Sequence, residues 1–329
     1  MLINKYIDYI ASVRRYSART CGIYRDSLEM FLGFLKSSGS GGSIPDSVLI
    51  EGLTPNTVRA YEVYMLEKRG MVPRTVNLHM SVLSGFCRFL IKEGLVSSNP
   101  AKTVTRPKAE KRLPEFYRKE SMEQYLKDSA YYASEEALYV SPDPVQAKHL
   151  YLKRLARAIV STLYATGIRR SELISLRICD ADFGRKVISV HGKGDKMREI
   201  PLIPSLLKEI SLYLHSVEMM VTAERTPGSA LFVTDRGRAL YPEYVDRVIK
   251  SELGAENGIT GRKSPHVLRH TLATELLDNG ADLNAIKELL GHSSLAATQV
   301  YTHNSINRLK KVYETAHPRA RKNGGKNGD

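Results

Sequence analysis

Apolar residues recur at helical spacing along almost the whole of the first 95 residues, and between 180 and 202 that period gives way to short strand-like runs. Such a chain packs helices on helices and carries one small sheet. Tyr6, Ile7, Ile10 and Val13, then Tyr24, Leu28, Phe31, Leu32 and Leu35, predict two helices broken around Ser17. The Ser- and Gly-rich stretch 37–43 reads as a loop. Thr54-Pro55 opens another helix running to Gly70, and Pro73 precedes one reaching about Glu93, with Leu78, Val82, Leu83, Phe86, Phe89 and Leu90 as its buried stripe. Together these form an all-helical bundle. Residues 99–114 hold three prolines and the cations Lys102, Arg106, Lys108, Lys111 and Arg112, and read as an extended basic linker.

The second half alternates in character. A long helix over 145–164 ends at Gly167, and a new one starts at Ser171. Runs at 180–182, 186–191 and 197–202, joined by Gly-containing turns, predict a small antiparallel sheet, followed by helices over 204–221 and 241–253. The expected domains are 1–98, a linker at 99–114, a second domain at 115–320 and a disordered tail at 321–329.

Charge narrows the partner. The 329 residues carry 49 Lys and Arg against 35 Asp and Glu, a formal +14, and the first 112 alone carry 17 against 9. A polyanion is favoured, which leaves nucleic acid, anionic membrane and ribosome open. No apolar run approaches a transmembrane span and no signal-peptide core precedes the first charges, so the membrane reading falls away. Cys21, Cys87 and Cys179 lie outside any metal-ligand spacing and read as reduced thiols. The basic bundle reads either as solvated helix faces or as a clamp on DNA phosphates, with Arg14, Arg15, Arg19, Arg74 and Lys102 as its contacts.

Residues 264–301 carry the densest chemistry. Ser264-Pro265 starts a helix that places His266 and Arg269 on one face at its N-terminus, where a phosphate is the natural guest. A second helix, capped by Asp282, is expected to bury Leu283, Ile286 and Leu290 and to stop at Gly291, delivering His292. Ser293 or Ser294 then caps a short helix carrying Tyr301. Upstream, Arg169 sits where one helix stops and the next starts, with Glu172 as the partner that orients charge. Taken singly, Arg169 is a surface residue near a cap and Gly192-Lys193-Gly194 a turn with an exposed lysine.

Taken together, His266-x-x-Arg269, Gly291-His292 and Tyr301, with Gly167-Ile168-Arg169-Arg170-Ser171-Glu172-Leu173 and Gly192-Lys193-Gly194-Asp195-Lys196-Met197-Arg198, resemble the tyrosine recombinase (phage integrase) family, most of all its Xer-type members. The resemblance implies a mostly α protein, with a SAM-like core-binding bundle preceding a mixed α/β catalytic domain. It implies Tyr301 as nucleophile, Arg169 and Arg269 on the non-bridging oxygens, His266 as proton acceptor, His292 on the phosphate and Lys193 as general acid. It implies no nucleotide and no metal, because the bond energy is kept in a phosphotyrosine. The implied partners are a double-stranded DNA recombination site, a homo- or hetero-tetramer of recombinases on two such sites, and a septal DNA translocase. An amphipathic helix at 305–316 would dock on the neighbouring protomer. The role that follows is chromosome dimer resolution in the cytoplasm, at the nucleoid. Mobile-element integration or excision, and type IB topoisomerase-like relaxation, are the alternatives.

Overall fold

Proline and threonine set the helix starts of the first unit. In this computed structural model, which describes residues 1–37, 46–108, 110, 115–134, 143–192, 197–254, 259, 261–291 and 315–316, the chain divides into Met1–Arg112 and Leu113–Asp329. The first unit holds α1 (Leu2–Ser12), α2 (Ala18–Ser37), α3 (Asp46–Glu51), α4 (Pro55–Val63) continued by a π-helical turn (Tyr64–Lys68), α5 (Pro73–Lys92) and α6 (Pro100–Thr103). Proline opens α4, α5 and α6, where its missing N–H costs nothing. The Thr54 hydroxyl caps α4 by accepting from the Thr57 N–H at 3.2 Å.

Two readings of this unit need correction. Leu78 is 44% exposed. The buried ridge of α5 runs through Val76, Met80, Leu83, Cys87 and Leu90, and Leu78 lies two residues, about 200°, from Met80. The stretch expected to be extended from Asn99 begins instead with α6, because Ala101 and Val104 find places in the bundle core. The Asn99 side-chain amide donates to the Ser84 carbonyl at 3.0 Å. Beyond it, Arg106 donates to the Ser81 hydroxyl at 2.7 Å, and the Asn77 amide donates to the Pro107 carbonyl at 3.0 Å, so this basic stretch lies along α5.

The second unit comprises α7 (Lys119–Asp128), a 3-10 turn (Ala130–Ala133), α8 (Pro144–Thr166), α9 (Arg170–Ser175), β1 (Ala181–Asp182), β2 (Val187–His191), β3 (Met197–Pro201), α10 (Pro204–Met220), α11 (Pro242–Glu252), α12 (Pro265–Asp278) and α13 (Leu283–Leu290). The strands form one antiparallel sheet with β2 in the middle, in a register that pairs Ile188 with Ile200 and Val190 with Arg198. The fold is thus mostly helical with a small antiparallel sheet, as expected. From Arg154 to Thr166 every residue of α8 is buried, because α10, α11 and α12 all pack on it. Such a fully wrapped helix is a rigid platform for whatever follows its end. Among the described residues no helix is long and apolar enough to cross a membrane.

Candidate active site

Two left-handed glycines bring the site together. Gly167, at φ 61°, ends α8, and a Cβ there would lie 2.6 Å from Leu290 Cδ2 and 3.0 Å from Leu272 Cδ2. Only glycine supplies that backbone turn while letting α12 and α13 approach so closely. Gly291, at φ 64°, ends α13 in the same way. The Asp282 carboxylate caps α13 by accepting from the Ala285 N–H at 3.1 Å. Leu283 is 50% exposed rather than buried, and Ala285 and Leu289, both on the Ile286 side of the expected stripe, complete the inner face in its place.

Three arginines from three elements converge on the C-terminal end of α13. Arg198 Nε donates to the Leu289 carbonyl at 3.1 Å, Arg269 Nη2 to the Leu290 carbonyl at 2.5 Å, and Arg169 Nη2 to the Gly291 carbonyl at 3.0 Å. Helix ends leave such carbonyls unpaired and carry partial negative charge, so consecutive residues each receive one guanidinium. Arg269 also donates to the Gly167 carbonyl at 2.6 Å, tying α12 to the end of α8.

One carboxylate organises the cluster. Glu172, 4% exposed, accepts at 2.8 Å from the Arg169 N–H, capping α9, and at 2.8 Å from Arg169 Nη1. It also accepts from Arg198 Nη1 at 3.1 Å and Nη2 at 2.8 Å. Burial alone would raise its pKa, but the two guanidiniums and the backbone N–H outweigh burial and hold it below the usual carboxylate range. Glu172 is therefore an anion at neutral pH.

The cations retain their charge. Arg269 is 7% exposed, and burial, reinforced by Arg169, lowers its pKa to about 10, still protonated at neutral pH. Arg169 is more open, with its side chain 35% exposed. It uses two of the five guanidinium N–H donors on Glu172 and Gly291, which leaves others for a ligand. Three cations against one anion leave positive charge for an anionic guest.

His266 lies in the first turn of α12, exposed, one turn before Arg269. Its pKa is lowered, first by partial desolvation and then by Arg269, His270, Arg170 and Arg262. The imidazole is therefore neutral near pH 7 and can accept a proton. Ser264 occupies the N-cap position, but its hydroxyl makes no capping bond; its N–H donates instead to the Tyr117 hydroxyl at 3.2 Å. Arg170 turns away to pair with Asp246 of α11, and His270 is exposed.

Among the six expected site residues, Arg169, His266 and Arg269 are placed by α9, α12 and the ends of α8 and α13. Lys193, His292 and Tyr301 lie outside the described residues, as do 305–314 and 321–329. Of the expected exchange helix, Thr315 and Ala316 are described. Ala316 is buried in the core of this same unit, and its carbonyl accepts from the Asn279 amide at 2.8 Å. Sequence reasoning passed over Arg198. The signal was available: Arg198 and Ile200 stand two apart in β3, and a cation in phase with a core residue needs a buried anion.

Comparison with known proteins gives this cluster a context. Residues 143–308 match the phage integrase family, and residues 3–94 match the phage integrase N-terminal SAM-like domain. Tyrosine recombinase XerC of Chlorobaculum parvum is 34% identical over 97% of this chain and 94% of its own length, and XerC of Bacillus subtilis is 34% identical over 97% and 96%. The XerH site-specific recombinase bound to difH substrate, in a pre-cleavage complex, shares the fold at a TM-score of 0.61 and 18% identity, over 95% of this chain and 82% of that one. The Tn1549 transposon integrase in complex with transposon right end DNA does so at 0.62 and 19%, over 94% and 98%. The chain belongs to the phage integrase family of tyrosine recombinases, enzymes that break and rejoin DNA.

Proposed function

We propose that Arg169 and Arg269 hold the non-bridging oxygens of a scissile phosphodiester while Tyr301 attacks its phosphorus. The observation that carries this reading is the anchoring of both guanidiniums on the end of α13, beside the Glu172 carboxylate that Arg169 shares with Arg198. Guanidiniums fixed before substrate arrives need no reorganisation as charge builds in the pentacoordinate state. In the cleavage step the Tyr301 oxygen forms a bond to phosphorus, its proton passes to neutral His266, and the bond to the 5′-oxygen breaks. Lys193 gives that oxygen a proton, yielding a 3′-phosphotyrosine and a free 5′-hydroxyl. His292 follows Gly291 directly and would hydrogen-bond the same phosphate. Glu172 and Arg198 are positioning residues that hold Arg169 from behind.

The biological reading is site-specific recombination within a tetramer on two DNA sites, in chromosome dimer resolution at the nucleoid. The XerC and XerD names of the relatives support it. Mobile-element integration is the second reading, favoured by the fold shared with the Tn1549 integrase. A septal translocase would be the activating partner in the first case only. The nucleophile is tested with a nicked suicide DNA, on which the wild type should accumulate as a covalent adduct. Tyr301→Phe should bind the site and form none; undiminished trapping would remove Tyr301 from the mechanism.

A further inference from the structure

Arg154, in the middle of α8, is 2% exposed and is among the largest fully buried side chains of the described residues. Its Nη1 donates to the Ser216 hydroxyl on α10, while Nε and Nη2 have no hydrogen-bond partner among the described residues. One turn further along α8, Arg157 meets the Glu209 carboxylate at 3.0 Å. The same pair of helices therefore neutralises one arginine and leaves the other facing a neutral hydroxyl. Desolvation lowers the Arg154 pKa, with the Tyr131 phenol acting against it, yet a guanidinium keeps its proton in proteins. A cation without an anion in the interior is costly, and its unpaired N–H groups add to that cost.

The geometry of the free edge narrows the guest. Nε–H and Nη2–H lie side by side and nearly parallel, forming the side of the guanidinium that grips a carboxylate through two parallel bonds. We propose that Arg154 is the receptor for a small carboxylate anion, of formate or acetate size, bound where α8, α10 and the Ala130–Ala133 turn meet. Its burial excludes a nucleotide or a DNA phosphodiester. The site is separate from the recombination centre: Arg154 stands twelve residues before the end of α8, roughly 18 Å along the helix axis. Bound anion would give this stretch of the interface the balance that Glu209 gives Arg157, and would tie the stability of the catalytic unit to the anion.

Thermal unfolding of the full chain tests this, with sodium acetate exchanged for sodium methanesulfonate at constant ionic strength. The wild type should show a saturable rise in Tm of about 2–4 °C. Arg154→Met should show none, and without acetate should be as stable as the wild type, since an apolar side chain replaces an uncompensated charge. Arg154→Lys, which keeps the charge but lacks the fork, should also lose the response. Saturation-transfer NMR on acetate reads binding to the wild type directly, should either variant fail to fold. A wild-type Tm flat in both acetate and formate, no saturation transfer, or an equal rise in Arg154→Met would overturn the proposal.

Discussion

Arg198 and Arg157 are both buried in the second unit and both face a glutamate, but the charge around them closes in one case and stays open in the other. Arg157 pairs with Glu209 at 3.0 Å and also donates to the Leu126 carbonyl and the Ser129 hydroxyl. At the end of α13 one carboxylate, Glu172, serves both Arg198 and Arg169, while Arg269 is held, among the described residues, by backbone carbonyls. A helix C-terminus offers about half a negative charge, so the end of α13 cannot balance three guanidiniums. A balanced pair fixes two helices; an unbalanced cluster, fixed just as firmly, keeps positive charge for the phosphate that the proposed mechanism places there.

The difference can be broken experimentally, and the largest effect belongs to the open cluster. Arg169→Ala or Arg269→Ala should slow covalent-adduct formation on suicide DNA by about 10²–10³-fold, the cost of one lost donor to a developing oxyanion. A loss under threefold would mean that the phosphate is held elsewhere. In the closed pair, Arg157→Met alone should destabilise the fold by about 3–5 kcal/mol by stranding Glu209, whereas Arg157→Met with Glu209→Leu should recover most of that stability. Both variants, assayed while folded, should form adduct at near the wild-type rate. A double variant that is stable but slow would show that the α8–α10 interface communicates with the site.

The smallest effect is on pH dependence. Burial and the surrounding cations lower the His266 pKa, so its neutral, proton-accepting form persists to lower pH than for an ordinary histidine. The cleavage rate should stay level as pH falls through about 6.5, the usual imidazole value, and drop only below it. A drop centred at or above 6.5 would remove His266 as the acceptor.

Much of this site was legible in order and spacing. Gly167, Asp282 and Gly291 marked helix ends through turn and cap chemistry, which acts within a few residues, and the structure keeps all three roles. Glu172 was legible as an orienting partner of Arg169 because the two are three residues apart. The inward phase of Arg198 was legible beside Ile200, but its partners were not, since Glu172 and the Leu289 carbonyl come from α9 and α13, and only the folded chain brings them to β3. The errors at Leu78 and Leu283 share a cause: an apolar residue inside a periodic run was assigned inward, although the phase of its neighbours turns it to solvent. In the expected linker, Ala101 and Val104 were too short a run to show periodicity, yet long enough to fill a place in the core.

If Arg169 and Arg269 are anchored to neutralise charge on the scissile phosphate, they should matter only while that phosphate is charged. Replacing one non-bridging oxygen of that phosphate by methyl removes the charge while leaving the Tyr301 attack and the leaving group in place. Adduct formation by wild type, Arg169→Ala and Arg269→Ala should be measured on DNA carrying this methylphosphonate and on ordinary DNA. At least one arginine variant, crippled on phosphate, should approach the wild-type rate on the uncharged substrate. If both variants are as defective on methylphosphonate as on phosphate, the arginines shape the site without neutralising the reaction's charge, and the account is wrong.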